Sequence, residues 1–153
     1  MHMHMTAALP DLPCACAGLR RASRAVTQLY DAALRPFGLR VTQFTLLQFL
    51  ATADRPLPQG VVGQLLVVDS TTLSRTLRPL ETAGWIRRVS GADARERCLE
   101  LAPAGRRLLA RATPAWEQAQ ARLRRALGPH DWTALQDLLT SVAGSVAEAV
   151  QDS

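Results

Sequence analysis

Three groups of side chains in this 153-residue chain have types and spacings that could do chemistry. The first is Cys14-Ala15-Cys16. Free amides and the dipole at a helix start favour the thiolate, the form that attacks oxidants and binds soft metals. Arg20, one helical turn beyond Cys16, supplies a cation that could stabilise it. Oxidation would give a sulfenic acid and then a disulfide or another cap. Two thiolates per chain, joined by a partner's, would equally suit a thiophilic ion or metalloid, which makes Cys14 and Cys16 candidate soft-metal ligands. Side chains two apart on a helix point in nearly opposite directions, so a bond between chains or a mixed disulfide is easier than an internal one. The bland alternative is a pair of small apolar residues at a helix start.

The second group is Ser70, Thr71, Thr72, Ser74, Arg75 and Arg78. Short hydroxyl side chains and arginine near a helix N-terminus are the groups that hydrogen-bond base edges and phosphate. At helical spacing, residues 71, 74, 75 and 78 share one face, opposite Leu73, Leu77 and Leu80. Arg75 is the candidate for base contact, and Thr71 and Ser74 for phosphate or base. The third group is Asp93-Ala94-Arg95-Glu96-Arg97. Arg95 at a hairpin tip can enter a narrow minor groove, and Asp93 can pair with it and hold its direction. Each group alone has a plain reading, a solvated helix face capped by Ser70 or Asp69, or a charged surface loop. Arg87, Arg88, Arg106 and Arg107 are further candidates for phosphate contact.

The elements that would carry these groups follow from hydrophobic period and helix stop signals. Leu19, Ala22, Val26, Leu29 and Ala33 mark an amphipathic helix over about 15–36, ended by Pro36 and Gly38. Thr42 is the expected N-cap of a second helix running to Ala53, and residues 54–58 read as a loop. Helices over 59–66 and 70–83, separated by Val67-Val68-Asp69, form a helix-turn-helix. Trp85–Val89 and Arg97–Leu101 read as two strands joined by the charged tip, which makes the unit a winged helix. Cys98 alternates with Leu99 and Leu101 and is expected on the more exposed face, without a role. Beyond Pro103, a helix carries Leu108, Ala112, Trp116, Ala119, Leu123 and Leu127, and Gly128-Pro129 breaks it. A last helix carries Trp132, Leu135, Leu139, Val142, Val146 and Val150. His130 reads as a capping or surface residue.

The expected class is mostly α with a small β-hairpin wing. Residues 1–13 form a disordered tail in which His2 and His4 could chelate adventitious metal, and 14–153 form one domain. Within it, about 42–102 would be the DNA-binding part, and 15–36 and 103–151 long dimerisation helices. A winged helix of about 70 residues cannot cover three long apolar stripes, so they are expected to pack on a second copy.

Composition narrows the function. The chain is 48% hydrophobic with a net charge of +5, and all 18 basic residues are arginine. Arginine binds phosphate and guanine edges bidentately, so the charge points to a polyanion. The longest apolar runs are four residues, such as Leu65–Val68, against the roughly 20 a spanning helix needs. The chain reads as cytoplasmic, without membrane contact, and three cysteines suit free thiols. There is no G-x-S-x-G, H-E-x-x-H, Gly-rich phosphate loop or carboxylate pair with a supporting His, so no enzyme and no cofactor is expected. The best enzyme alternative is a thiol peroxidase using Cys16. A winged-helix protein-interaction module is the other alternative.

Residues 62–75 with Leu80-Glu81 and Gly84-Trp85-Ile86, and Asp93–Arg97 with Leu101 and Gly105, resemble the MarR-type winged-helix transcriptional regulators. The likeness runs from about Cys14 to the C-terminus. Departures are Val67 where the turn usually has Gly, Ala102 where Thr would cap, and Pro79 inside the second helix, where it should cause a kink near Arg75. The resemblance implies a homodimer on pseudo-palindromic duplex DNA, more commonly a repressor, released by a small-molecule, oxidant or metalloid effector. Cys16 is placed like the reactive cysteine of the organic-peroxide-sensing branch, judged from Ser23-Arg24-Ala25 and Gly38-Leu39, and Tyr30 matches one of that pocket's tyrosines. Arg20 and Val41 replace two others, and no resolving cysteine lies near the C-terminal helices. The family also binds small aromatic acids, for which Arg20, Arg24, Tyr30 and Trp116 are possible pocket residues.

Overall fold

The computed structural model describes residues 10–151. Helix α1 spans Ala15–Leu34 and passes through a 3-10 turn, Arg35–Phe37, into α2, Val41–Thr52. A short strand β1, Leu57–Pro58, precedes α3, Gln59–Leu66, and α4, Ser70–Thr82. Strands β2, Ile86–Ser90, and β3, Arg97–Leu101, follow, and α5, Pro103–Gln151, completes the described chain.

Helix α2 starts one residue before the expected cap, because other groups satisfy its first amides. Asp31 Oδ1 accepts from the Val41 N–H at 2.8 Å, and Gln43 Oε1 accepts from the Arg40 N–H at 3.0 Å. Thr42 therefore lies exposed inside the helix. Phe44, Leu46 and Leu47 of α2 are fully buried against Leu34, Val62, Leu77, Leu80 and Leu99, so α2 is the centre of the core. Trp116 of α5 stacks on Phe44 with ring centroids 5.6 Å apart.

The sheet has three antiparallel strands in the order β1-β3-β2, with Leu57 opposite Leu99, Pro58 opposite Cys98 and Val89 opposite Cys98. Strand β1 lies in the segment that reads as a loop from sequence. It is two residues long, and Pro58 lacks an N–H, so it can only be an edge. Its presence makes β3 the central strand, and Cys98 is buried at 3% exposure, contrary to the expected exposed face. Burial and the Glu96 charge both push the Cys98 thiol up from its ordinary pKa.

Gly128, at φ 81° and ψ 164°, divides α5 into arms over 103–127 and 129–151 where Gly-Pro predicts a break. In the first arm Leu108, Ala112 and Ala119 are buried, and Trp116, Leu123 and Leu127 are partly so. Tyr30, buried on α1, donates its hydroxyl to Gln120 Oε1 and pins α1 to this arm; burial raises its pKa. Gly105 is packed on the wing base, where a Cβ would overlap the Trp85 carbonyl and sit 2.8 Å from Leu101 Cδ1. Because the obstruction is backbone, Gly105→Ala is expected to lower stability by about 3 kcal/mol, read as a lower denaturant midpoint at unchanged slope.

The outer ends of the helices stay uncovered. On the second arm Leu138, Leu139, Val142, Val146 and Val150 are exposed, and on α1 so are Leu19 and Ala22. Of the predicted stripe on α1, Val26, Leu29 and Ala33 are only partly buried, and the fully buried residues of the helix, Tyr30 and Leu34, each follow a stripe position by one residue. Among the described residues no helix is long and apolar enough to cross a membrane.

Candidate nucleic-acid interface

The turn between α3 and α4 sets the exposed face of α4. Val67 closes α3 in the left-handed region, and the Val68 N–H returns to the Gly63 carbonyl at 3.1 Å. Asp69, not Ser70, is the N-cap, and its Oδ1 accepts from the Thr72 N–H at 2.7 Å. The hydrogen bonds from Thr72 hold the Asp69 carboxyl below its usual pKa despite some desolvation. Leu73, Leu77 and Leu80 are buried, as the period predicts, which leaves Ser70, Thr71, Thr72, Ser74, Arg75 and Arg78 exposed. The Ser74 hydroxyl donates to the Ser70 carbonyl at 2.9 Å, so its oxygen faces solvent as an acceptor. Ser70, Thr71, Ser74, Arg75, Arg78 and Pro79 line one shallow concavity of about 520 Å³. The helix continues through Pro79 to Thr82; the Arg75 carbonyl simply lacks an amide partner at that position.

The wing tip is held by backbone. Gly91 N–H donates to the Glu96 carbonyl at 3.0 Å and Glu96 N–H to the Asp93 carbonyl at 2.9 Å. The Asp93 carboxylate accepts from the Arg95 N–H at 3.1 Å. Asp93 thus orders the backbone of Arg95 instead of pairing with its guanidinium, a correction to the sequence reading. Among the described residues the ion pairs are Arg87 with Glu100 and Arg88 with Glu81. Arg88 also donates to Gln59 Oε1 at 2.5 Å, tying β2 to the start of α3. Arg88 braces the wing against the helices and Arg87 ties β2 to β3 within the wing, so the fitness of both for phosphate contact is reduced. Arg95, Arg97, Arg106 and Arg107 remain exposed.

The wing and the helix pair face each other across a groove of about 840 Å³, whose lining includes Gln59, Gln64, Val67, Ser70, Arg95 and Arg97. The fold therefore brings Ser70 of the second group into one groove with Arg95 and Arg97 of the third, and Ser70 joins that groove to the concavity lined by Thr71, Ser74, Arg75 and Arg78. Gln59 and Gln64, which also line the groove, carry no role in the sequence reading, although Gln59, beside the free N-terminal amides of the first helix of a helix-turn-helix, could have been signalled by that position.

A model of the MarR family matches residues 37–96, from the 3-10 turn to the wing tip. The Mycobacterium tuberculosis transcriptional regulator MosR in complex with DNA is 36% identical, with a TM-score of 0.78 over 90% of this chain and 98% of that one. This chain belongs to the MarR family. The transcriptional repressor CouR bound to a 23-mer DNA duplex, a protein of Rhodococcus jostii, is 26% identical, with a TM-score of 0.77 over 85% of this chain and 92% of that one. An uncharacterized HTH-type transcriptional regulator of Bacillus subtilis, YwoH, is 32% identical over 83 residues, 54% of this chain; the match spans 60% of YwoH.

The first chemical group lies apart from the groove of this MarR-family chain. Cys14 and Cys16 are free and exposed at the start of α1. Cys14 is the N-cap, with extended backbone at φ −101° and ψ 118°. The opposed directions expected for two cysteines inside a helix therefore do not apply. Arg20 is exposed on the next turn. Tyr30 does not join them: from residue 16 to residue 30 the helix advances roughly 21 Å at about 1.5 Å per residue, and the Tyr30 hydroxyl is taken by Gln120. Within one chain, then, Cys14, Cys16, Arg20 and Tyr30 do not form one pocket. Among the described residues no three His, Cys, Asp or Glu side chains are grouped to hold a metal. His2 and His4 lie outside the described residues.

Proposed function

We propose that this chain is a sequence-specific, DNA-binding transcriptional regulator that works as a homodimer and represses until an effector releases it. The observation that carries this reading is the groove with Ser70, at the start of the exposed face of α4, on one side and Arg95, free of any ion pair among the described residues, on the other; Ser70 also lines the concavity along the rest of that face. An exposed polar helix face beside arginines on a hairpin fits a major groove and the flanking minor groove. MosR and CouR, each described in complex with DNA, support the same use here. The uncovered stripe on the second arm of α5 supports a second copy as partner, which would present two α4 helices to half-sites about one helical turn apart.

The exposed thiols favour one route of release. Modification at Cys16 or Cys14 would add volume or charge at the start of α1, the helix that Tyr30 ties to the first arm of α5. Binding to a pool of fluorescent duplexes, including the segment upstream of the gene, is measured before and after cumene hydroperoxide or arsenite. The expected result is salt-dependent binding, released in wild type and retained in Cys16→Ser. Binding that neither reagent changes would remove the thiol route and leave the regulator. Repeated turnover of hydroperoxide with a thiol reductant would support the peroxidase instead. No binding at any salt would overturn the regulator reading.

A further inference from the structure

Val67 is out of keeping with its surroundings. Its φ of 54° and ψ of 48° lie in the left-handed region, where a β-branched side chain is crowded against its own backbone. The other positive-φ positions among the described residues are all glycine, at 38, 84 and 128. At the end of α3 the backbone asks for the same, since a glycine would close the helix without strain. Burial does not justify the valine either. Its neighbour Val68 packs against the core, whereas Val67 is 88% exposed. The side chain instead lines the groove between the wing and the helices, together with Ser70, Arg95 and Arg97. Leu65, also exposed, does not line it. A strained residue that gives nothing to the core persists where its side chain is used.

We infer that Val67 makes an apolar contact with the duplex, held toward it by the strained turn. The inference rests on the DNA-binding reading. A duplex offers two apolar partners at a groove edge, the thymine methyl and the deoxyribose face. In either case strain and contact oppose each other, so one substitution should move stability and affinity in opposite directions.

The test uses the full chain with Val67→Gly and with Val67→Asn, which tolerates the left-handed region but is polar. Relief of strain is expected to raise Tm by about 2–4 °C in each. Affinity for a duplex the wild type binds is expected to fall about tenfold, the loss of one partly buried valine contact. Duplexes with deoxyuridine in place of thymine separate the two partners. If wild type weakens on them while Val67→Gly does not, the methyl is the group touched; if wild type is indifferent while Val67→Gly remains weaker, it is the sugar. Unchanged affinity in Val67→Gly, or a fall in Tm, overturns the inference. Failure of the wild type to bind any duplex instead removes the DNA-binding reading beneath it.

Discussion

Arg75→Ala is expected to weaken operator binding at least about 30-fold and to relax discrimination at a single base pair in each half-site. A bidentate arginine on a base edge is worth about 1–3 kcal/mol of discrimination, and a two-fold dimer makes the contact twice. Arg75 is the residue for this effect because it shares its exposed face with Thr71, Ser74 and Arg78, while Leu73 and Leu77 fix the opposite face in the core. Its removal leaves the core untouched, so Tm should stay where it is. Arg75→Lys should not rescue it, since an ammonium lacks the planar fork that reads two acceptors at once. Arg106→Ala is the contrast. A phosphate contact carries no sequence information, so its loss should weaken every duplex alike and lower the salt slope by about one per subunit, about two for the dimer. Anisotropy titrations on a set of single-base-pair operator variants, at several salt concentrations, separate the two. If Arg75→Ala keeps the wild-type rank order of variants, α4 does not read sequence through Arg75.

The helix-turn-helix was legible because its signals are local. Gln59–Leu66 begins and ends as the sequence predicts, and Asp69 with Leu73, Leu77 and Leu80 announces a capped helix with one apolar face. The break at Gly128 was legible for the same reason, since only glycine takes that backbone and proline opens the next arm. What was hidden depends on partners far along the chain. Leu57 and Pro58 become a strand only because residues 98 and 99 are there to pair with them, and β3, central in the sheet, has both Cys98 and Leu99 buried on its alternating faces. Asp93 and Arg95 suggest an ion pair, but the turn gives the carboxylate a nearer donor in the Arg95 amide. The separation of Cys16 from Tyr30 follows from one unbroken helix between them, which makes any pocket using both a matter for two chains.

The same argument about two chains leads to Val142→Asp, expected to convert the protein from dimer to monomer and to weaken binding to a palindromic duplex to the level of a single half-site. Leu139, Val142, Val146 and Val150 recur at helical spacing on the second arm of α5, all exposed, and Leu19 is half exposed on α1. Contiguous apolar stripes of this kind mark protein interfaces. Two-fold symmetry places each substituted residue in the contact twice, and an unpaired carboxylate removed from water costs several kcal/mol. That is enough to dissociate a dimer at micromolar concentration. A monomer keeps its α4 face and its wing yet loses the second half-site, and with it roughly a hundredfold or more in affinity. Thr140→Asp is the control, adding the same charge on the other side of the helix, where the residue is exposed and lies off the stripe. Sedimentation equilibrium and anisotropy on single and paired half-sites read both steps. The expected pattern is a Val142→Asp monomer that binds single and paired half-sites equally weakly, beside a Thr140→Asp dimer that still prefers the pair. A Val142→Asp chain that stays dimeric would mean that this stripe is not the dimer face, and the spacing of the two α4 helices would then have to be set elsewhere.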